Sequence, residues 1–302
     1  MNPANTKPYA LPEDATWLIT GCSSGIGRAI ANLIASKPKH RLIATARKLS
    51  DLSYLPNDNS NILKLVLDVT SPTSVNAAFA DAAKHFGSDF HLDIVVNNAG
   101  YSLSGDTVNA TEEETHKELE TLFFGTARVT TRAVENMRQS KDSRGGVIFN
   151  ISSLAGLVAF PGHAYYHASK FAVEGFTESV AREVHPDWNI NFCIVEPSGV
   201  KTEFEGHSKA KIQSHPAYAA PDMPARKLEH FVQMGIKAGA AAGMIEPEKL
   251  AETLYTVASR GQNIPLRLPL GLTTWRMAKA KFEGLVKELD DLKELSAMGR
   301  EG

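Results

Sequence analysis

The chain has 302 residues, of which 43% are hydrophobic and 22% are charged, a balance typical of an ordinary globular protein in water. Its formal net charge of −2 leaves no basic excess to meet phosphates, so the composition argues against a nucleic-acid partner. No run approaches the ~18 apolar residues of a membrane helix, and the polar start of the chain is unlike a secretion signal.

Only two cysteines occur, Cys22 and Cys193, which is too few for a disulfide framework or a structural zinc site. Both lie in apolar or glycine-rich surroundings, so we expect buried free thiols and no metal site. A reducing, cytoplasmic compartment fits this pattern. The sequence has no internal repeat and no low-complexity linker, so a single domain covering residues 1–302 is expected.

A short β-prone run, residues 16–20, is followed at once by a glycine-rich turn and by a helical pattern at 28–36. A dinucleotide pyrophosphate needs this order, because glycines let the backbone approach and the free N–H groups of the helix start meet the phosphates. A tight turn without a ligand is the alternative for this stretch alone. The residues expected to bind a cofactor here are Gly21, Ser23, Ser24, Gly25, Ile26 and Gly27.

The second predicted strand, 41–46, ends at Arg47 and Lys48, and no acidic residue follows until Asp51. An acidic side chain at this place binds the adenosine ribose, whereas a basic one favours a 2′-phosphate. Arg47 therefore favours NADP(H) over NAD(H). A solvated surface charge is the alternative interpretation of this arginine.

Two further predicted strands end in residues that suit a nucleotide. Asp68 and Val69 follow the strand at 61–67; the Asp68 carboxylate could accept a hydrogen bond from an adenine amino group, although a turn or helix-cap role is equally open. The strand at 92–96 is followed by side-chain amides and small residues, which would let a flat group approach the backbone. The expected cofactor contacts there are Asn98, Ala99 and Gly100.

A glycine-bounded apolar run, 145–153, predicts a buried strand, and the helical pattern at about 163–185 predicts a helix packed on a sheet. On that helix Tyr166 and Lys170 lie one turn apart on the same face. A cation beside a phenol lowers the pKa of the phenol, so Tyr166 is a candidate general acid or base for a carbonyl or alcohol oxygen. Ser153 could hydrogen-bond the same oxygen. The four-residue spacing alone also arises by chance.

The remaining elements complete an alternating pattern. Helices are predicted at 70–86 and 111–140, and a sixth strand at 189–195. Strands alternating with helices through short turns indicate an α/β fold with a doubly wound, Rossmann-type parallel sheet. Ligands of such sheets bind beyond the carboxyl ends of the strands. The candidate residues at six predicted strand ends are Gly21, Arg47, Asp68, Asn98, Ser153 and Pro197.

Beyond Thr202 the alternation lapses. Residues 203–244 form an insertion that we expect to be a substrate lid, since long irregular insertions are often binding loops; a solvated helical excursion is the alternative. A helix at 246–259, a short strand at 264–269 and an amphipathic terminal helix at 273–296 are predicted to follow.

Together the motifs resemble those of the classical short-chain dehydrogenases/reductases, over nearly the whole chain. The matching segments are Thr20-Gly-Cys-Ser-Ser-Gly-Ile-Gly27, Asn97-Asn-Ala-Gly100, Ser153, Tyr166-His-Ala-Ser-Lys170 and Pro197-Ser-Gly-Val-Lys-Thr202. The family's serine precedes its tyrosine by thirteen positions, which selects Ser153. The resemblance implies that Tyr166 is the proton donor, that Lys170 lowers its pKa and binds the nicotinamide ribose, and that Ser153 steadies the substrate oxygen.

The resemblance also implies cofactor contacts after the sixth strand, at Pro197, Gly199, Val200 and Thr202. Hydride would pass between C4 of the nicotinamide and the carbonyl carbon. The branch that the chain resembles is that of hydroxysteroid- and retinol-dehydrogenase-like carbonyl reductases. Substrates there are usually hydrophobic ketones or secondary alcohols, and the proteins are commonly dimers or tetramers.

Two residues depart from the family pattern. Many members carry an asparagine three residues before the glycine equivalent to Gly125, where it supports a proton-relay water, and this chain has Leu122. The usual Pro-Gly after the sixth strand is Pro197-Ser198 here.

The leading hypothesis is NADPH-dependent reduction of a hydrophobic ketone, or the reverse oxidation of a secondary alcohol, with Tyr166 as general acid or base. A catalytically weak member that binds NADP(H) as a sensor or scaffold is the alternative, and Leu122 favours it. Alcohol oxidation with NAD(H) is a third hypothesis, against which Arg47 argues.

Overall fold

The computed structural model describes residues 4–87, 90–139, 144–203, 208–237 and 244–297. The strands in these ranges are β1 (Thr16–Ile19), β2 (Arg41–Ala46), β3 (Ile62–Val66), β4 (Ile94–Asn97), β5 (Ser102–Ser104), β6 (Gly146–Ile151), β7 (Ile190–Pro197), β8 (Lys209–Lys211) and β9 (Arg267–Leu270). Seven of them form one sheet in the order β3-β2-β1-β4-β6-β7-β9, with parallel pairing throughout. The predicted doubly wound α/β sheet is confirmed, and each predicted strand is found with ends shifted by at most three residues.

The α-helices alternate with the strands along the chain. Those of the described residues are α1 (Gly25–Ala35), α2 (Pro72–Phe86), α3 (Glu112–Leu119), α4 (Gly125–Arg138), α5 (Ala164–Glu183), α6 (Pro224–Lys237), α7 (Pro247–Ser259), α8 (Leu272–Asp291) and α9 (Lys293–Ser296). Within the described ranges, no helix is both long and apolar enough to cross a membrane.

The sheet has an apolar core on each face. Side chains alternate across a strand, so Trp17 and Ile19 of β1 point to one face and Leu18 points to the other. The Trp17 face packs against α1 and α7, whereas the Leu18 face packs against α2, α4 and α5. Strands buried on both faces explain the near-continuous apolar runs of the sequence.

Local sequence signals set several helix ends. The Ser71 hydroxyl caps α2 by accepting a hydrogen bond from the Ser74 N–H, and Pro72 occupies the first turn, where its missing N–H costs nothing. Helix α3 begins with a capping box in which Thr111 and Glu114 satisfy each other's backbone N–H groups.

The predicted helix at 111–140 is interrupted. A single π-helical turn, Glu120–Phe124, separates α3 from α4. Such turns are frequent at functional sites. At Gly125 the backbone lies so close to the segment after β3 that a Cβ would stand 2.6 Å from Cγ2 of Val69. Residue 140 lies outside the described residues.

The insertion at 203–244 contains regular structure that the sequence did not indicate. Strand β8 pairs in parallel with β5, which follows β4, and together they form a separate two-stranded sheet. Strands of three residues carry too little alternation to be recognised in sequence. Helix α6 follows, and residues 204–207 and 238–243 lie outside the described part.

Strand β9 forms an edge of the large sheet, which explains why Pro269 is tolerated there. The prediction of buried free thiols is confirmed for Cys22 and Cys193. Burial raises the pKa of the Cys22 thiol to about 12. These thiols are therefore packing residues of the core.

Candidate active site

The glycine-rich turn between β1 and α1 requires its glycines. Gly21 and Gly25 have φ of +71° and +54°, which side-chain-bearing residues rarely adopt. A Cβ on Gly27 would lie 2.3 Å from the carbonyl oxygen of Gly21. Ser24 occupies the N-cap position of α1, but its hydroxyl accepts no hydrogen bond from the first N–H groups of the helix. A helix start of this kind suits a phosphate.

Asn98 holds this turn in place. Its Nδ2 donates hydrogen bonds to the carbonyl oxygens of Thr20 at 2.9 Å and Gly21 at 3.1 Å. In return, the Thr20 hydroxyl oxygen accepts the N–H groups of Asn98 and Ala99. The predicted cofactor residue Asn98 therefore directs its amide to the protein backbone, and the sequence did not reveal this scaffold role.

Basic side chains lie beside the turn. The Cys22 N–H donates to the carbonyl oxygen of Thr45, so the turn lies against the end of β2, directly before the exposed Arg47. The Arg28 guanidinium lies 4.2 Å from the ring centroid of Tyr54. Arg28 follows directly after the predicted glycine motif. The sequence did not single it out, and its contact with Tyr54 is seen only in the structure.

Asp68 makes a local turn. Its Oδ1 accepts hydrogen bonds from the Thr70 N–H at 2.9 Å and the Thr70 hydroxyl at 2.7 Å. Of the two roles that the sequence left open for Asp68, the turn is the one visible in the structure. Val69 is buried and contacts Gly125.

The structure brings Ser153, Tyr166 and Lys170 to the end of β6. Lys170 Nζ donates a 2.8 Å hydrogen bond to the carbonyl oxygen of Ile151, the last residue of β6, and lies 5.7 Å from the ring centroid of Tyr166. Burial lowers the pKa of Lys170 to about 8, against the effect of nearby carboxylates. Ser153 Oγ accepts the Ala155 N–H at 3.1 Å, which leaves its hydroxyl proton available to a ligand.

His167, next to Tyr166, fixes the loop that precedes α5. Its Nε2 accepts the Phe160 N–H at 2.8 Å, so its Nδ1 carries the proton and donates to the carbonyl oxygen of His163 at 2.6 Å. Burial lowers the pKa of His167, in keeping with a neutral ring. The sequence did not single out this histidine.

A buried ionic network holds the other side of α5. Glu174 accepts hydrogen bonds from the Ser152 hydroxyl at 2.7 Å and from Arg267 at 2.6 Å. Arg267 also bonds to Glu196 of β7 at 2.7 Å. Burial raises the pKa of Glu196 to about 7. The network ties α5 to β7 and β9, and so fixes the helix that carries Tyr166.

The segment after β7 reaches the glycine-rich turn. A Cβ on Gly25 would lie 3.2 Å from Cγ2 of Thr202, and Val200 forms a β-bridge with Ile245. The Ser198 hydroxyl lies against the backbone of Gly271. The predicted residues Pro197, Gly199, Val200 and Thr202 thus lie at the same edge of the sheet as the turn.

Three segments also meet near this edge: the one after β4, the one before α5, and the 203–244 insertion. The Gly105 N–H donates to the carbonyl oxygen of Gly162 at 2.9 Å, and Ala225 of α6 contacts Gly162. Asp106 pairs with Arg226 of α6. The cavity between these segments is mixed in character, with apolar and charged side chains: Pro161, Ile212, Val232, Lys209, Lys211, Arg226 and Glu229.

Leu122 is buried in the π-helical turn. Its Cδ2 would be 2.4 Å from a Cβ on Gly100, so the leucine fills the space beside the backbone after β4. Among the described residues, no cluster of three or more histidine, cysteine or acidic side chains could hold a metal ion.

Comparison with known proteins agrees with this arrangement. The sequence model of the family described as short chain dehydrogenase matches residues 15–213. The chain is 64% identical over 298 residues to oxidoreductase calM of Penicillium decumbens, covering 99% of this chain and 97% of that protein. It is 38% identical over 188 residues to 3-ketodihydrosphingosine reductase of Bacteroides thetaiotaomicron, covering 62% of this chain and 64% of that protein.

A solved short-chain dehydrogenase from Streptomyces avermitilis is 31% identical, with a TM-score of 0.80 over 93% of this chain and 98% of that one. Other solved structures of this fold hold NADP or NAD. The chain therefore belongs to the short-chain dehydrogenase family of oxidoreductases.

Proposed function

We propose that the protein reduces a hydrophobic ketone with NADPH, or oxidises the corresponding secondary alcohol in reverse. The observation that carries the proposal is the buried Lys170, held beside the Tyr166 ring at the end of β6. Buried lysines are costly, and this one lies at the sheet edge where ligands of doubly wound folds bind.

The residues present fit a dinucleotide. The turn from Gly21 to Gly27 presents the open start of α1 to a pyrophosphate, and its glycines leave space that a Cβ would fill. Asp68, Val69, Ala99 and Gly100 would lie along the adenine and ribose, and residues 197–202 beside the nicotinamide. A bound nicotinamide supplies or accepts the hydride.

The protein's own residues would handle the proton. In reduction, Tyr166 donates its phenolic proton to the carbonyl oxygen as hydride arrives at the carbon, and Lys170 stabilises the negative charge that develops on the phenol. Ser153 donates a hydrogen bond to the same substrate oxygen and holds it in place. Oxidation runs these steps backwards.

Arg47 and Lys48 support NADP(H) rather than NAD(H). Both side chains are exposed at the end of β2, beside the turn, where a 2′-phosphate would lie. No acidic residue lies between the end of β2 and Asp51 to bind the ribose hydroxyls of NAD(H). The Arg28 guanidinium, stacked on Tyr54, adds a further positive charge on the same turn.

The choice of a hydrophobic ketone rests on three supports. The resemblance points to reductases of such ketones, and one relative bears the name 3-ketodihydrosphingosine reductase. Phe231 and Met234 of α6 are also exposed, which suits a lid for an apolar substrate. In this proposal the 203–244 insertion covers the substrate, and the ion pair of Asp106 with Arg226 holds it to the body of the protein.

Purified protein would be tested for NADPH consumption against a panel of hydrophobic ketones and diketones, with NADH in parallel. Turnover with NADPH and not with NADH is expected. Leu122 favours one rival function, an NADP(H)-binding sensor or scaffold, since it places an apolar side chain beside the site. Tight NADPH binding without turnover across the panel would support that rival and contradict the reductase.

A further inference from the structure

The second half of helix α8 extends beyond the body of the protein. The first half is anchored, because Ala278 is buried and Lys281 Nζ donates a 2.6 Å hydrogen bond to the carbonyl oxygen of Leu157. From residue 282 to residue 297, in contrast, every residue is exposed. The helix is therefore held in place at one end, while its other end is surrounded by solvent in the isolated chain.

This projecting part carries an apolar stripe. Along α8 and at Leu292, directly after it, apolar residues recur at alternating steps of three and four residues, which is the spacing of a coiled-coil seam. A helix of this length gains little stability in water unless its apolar face is packed. Leu285 is 41% exposed and Leu289 is 67% exposed, so the rest of the described chain leaves this face uncovered. The apolar stripe consists of Trp275, Ala278, Phe282, Leu285, Leu289 and Leu292, of which all but Ala278 are exposed.

The charges of the helix divide near its middle. Residues 272–282 carry three basic side chains and no acidic one, whereas residues 283–297 carry five acidic side chains and two lysines. Two copies of the helix side by side in parallel would bring like charges together. Two antiparallel copies would place the basic half of each against the acidic half of the other. Such a pair is symmetric, and its two-fold axis would pass close to Gly284, where the charge changes sign.

A lipid surface is the other occupant that an amphipathic helix can have. Helices that lie on anionic membranes carry lysine and arginine along their polar face. The projecting part of α8 and α9 has more acidic than basic side chains, so an anionic membrane would repel it. The charge therefore favours a second copy of this chain over a membrane.

We propose that the apolar stripe is a self-association surface, on which the terminal helix of a second copy of this chain packs in antiparallel orientation. Phe282 of each copy would then lie beside Leu285 of the other, on either side of the axis. From Trp275 to Leu292 the stripe is about 25 Å long. Because the Lys281 bond already holds α8 in place, association requires little further ordering of the helix.

Distances between spin labels in the full-length protein test the pairing and its orientation. Cys22 and Cys193 are buried, so nitroxide labels should attach to a cysteine introduced by Gly284→Cys or Ser296→Cys, both at exposed positions. Antiparallel pairing should bring the labels at 284 within about 30 Å of each other and hold those at 296 about 40 Å apart. Labels at 296 as close together as those at 284, or no intermolecular distance at either position, would overturn the proposal.

Leu289→Glu tests the apolar contact. Leu289 is exposed in the isolated chain, so the monomer should fold as before, while a carboxylate inside the seam should weaken self-association by about tenfold or more. The distance between the labels at 284 should then disappear. Val108→Glu is the matched control, since it places the same charge on an exposed valine outside α8 and should leave the distance intact. An unchanged distance in Leu289→Glu would contradict the proposal.

Charge reversal tests the choice of partner. One variant carries Arg276→Glu with Lys279→Glu, a second carries Asp290→Lys with Asp291→Lys, and each should associate with itself about tenfold more weakly than the wild type. A mixture of the two should associate again, because opposite charges face each other once more; a mixture that stays dissociated would count against the antiparallel pair. Binding of the wild type to phosphatidylserine vesicles, lost in Leu289→Glu and without any label distance, would overturn the proposal in favour of a lipid surface.

Discussion

Lys170 Nζ donates a 2.8 Å hydrogen bond to the carbonyl oxygen of Ile151, and this bond ties the middle of α5 to the end of β6. Because Ile151 is paired with Val195 inside the sheet, the lysine is held by a rigid part of the fold. This bond keeps the ammonium in one place, 5.7 Å from the centroid of the Tyr166 ring. A site held by strands and helices in this way can keep its geometry before any ligand arrives.

Replacement of Tyr166 by phenylalanine tests the proton donor. The phenol proton is lost while the ring and its packing stay, so turnover should fall by about two to four powers of ten. NADPH binding, followed by the change in its fluorescence, should stay nearly the same. Tyr165→Phe is the matched control, because the residue four positions after Tyr165 is Ser169 and not a lysine. Retention of most activity in Tyr166→Phe would rule out this mechanism.

Arg47→Asp tests the cofactor. A charge-assisted contact to the 2′-phosphate would be lost and a repulsion gained, so affinity for NADPH should fall by about 10- to 100-fold. Affinity for NADH, which has no 2′-phosphate, serves as the internal control and should hold or improve. Equal losses for both cofactors would mean that Arg47 supports the fold and does not choose between them.

The sheet was predictable because each buried strand is a short apolar run closed by glycine or polar residues. The edge of the sheet was predictable for the same reason, since parallel strands place their carboxyl ends together. The small sheet of β5 and β8 was not, because Ser102 pairs with Lys209 across about a hundred residues and neither strand has a pattern of its own. The π-helical turn was not predictable either; it ends beside Gly125, whose close approach to Val69 is likewise a tertiary effect.

Side-chain roles at the site divide in the same way. Tyr166 and Lys170 lie four residues apart on one helix, so their proximity could be predicted from the sequence. The burial of Glu118 depends on how α3 packs, and in sequence this residue resembles the exposed acids beside it. Asn98 was identified, but its bonds to Thr20 and Gly21 required the neighbouring strand.

His167 should make the fold sensitive to acid. Burial lowers its pKa below the ordinary value of 6.5, so the unfolded chain binds a proton at a pH where the native state does not. Stability should therefore fall as the pH drops through 6.5. Protonation would also turn Nε2 into a donor facing the Phe160 N–H. Urea unfolding on both sides of this pH should show a smaller loss in His167→Gln than in the wild type.

His185→Gln is the control for that measurement, since His185 is exposed. It should keep the wild-type loss of stability in acid. The interpretation of His167 fails if the wild type and His167→Gln lose the same free energy of unfolding between the two conditions.

Glu118 should make the folded protein less stable as the pH rises, which is the reverse of the effect expected from His167. Its pKa rises from about 4.5 to about 7 on folding, chiefly because burial disfavours the carboxylate. Across that window the unfolded chain has already released a proton that the native state still holds, so stability falls as the pH rises from 4.5 to 7 and stays lower above. Glu118→Gln carries no such proton. It should be more stable than the wild type at high pH by about 1–3 kcal/mol.

The gain should shrink in acid, where Glu118 is neutral like a glutamine. Glu113→Gln is the control, since it removes the same charge from an exposed position of α3, and it should show the gain at no pH. Urea unfolding at pH values above 7 and near 4.5 measures the difference. Equal stability of Glu118→Gln and the wild type at both pH values would mean that folding does not raise the pKa of Glu118, and would contradict this prediction.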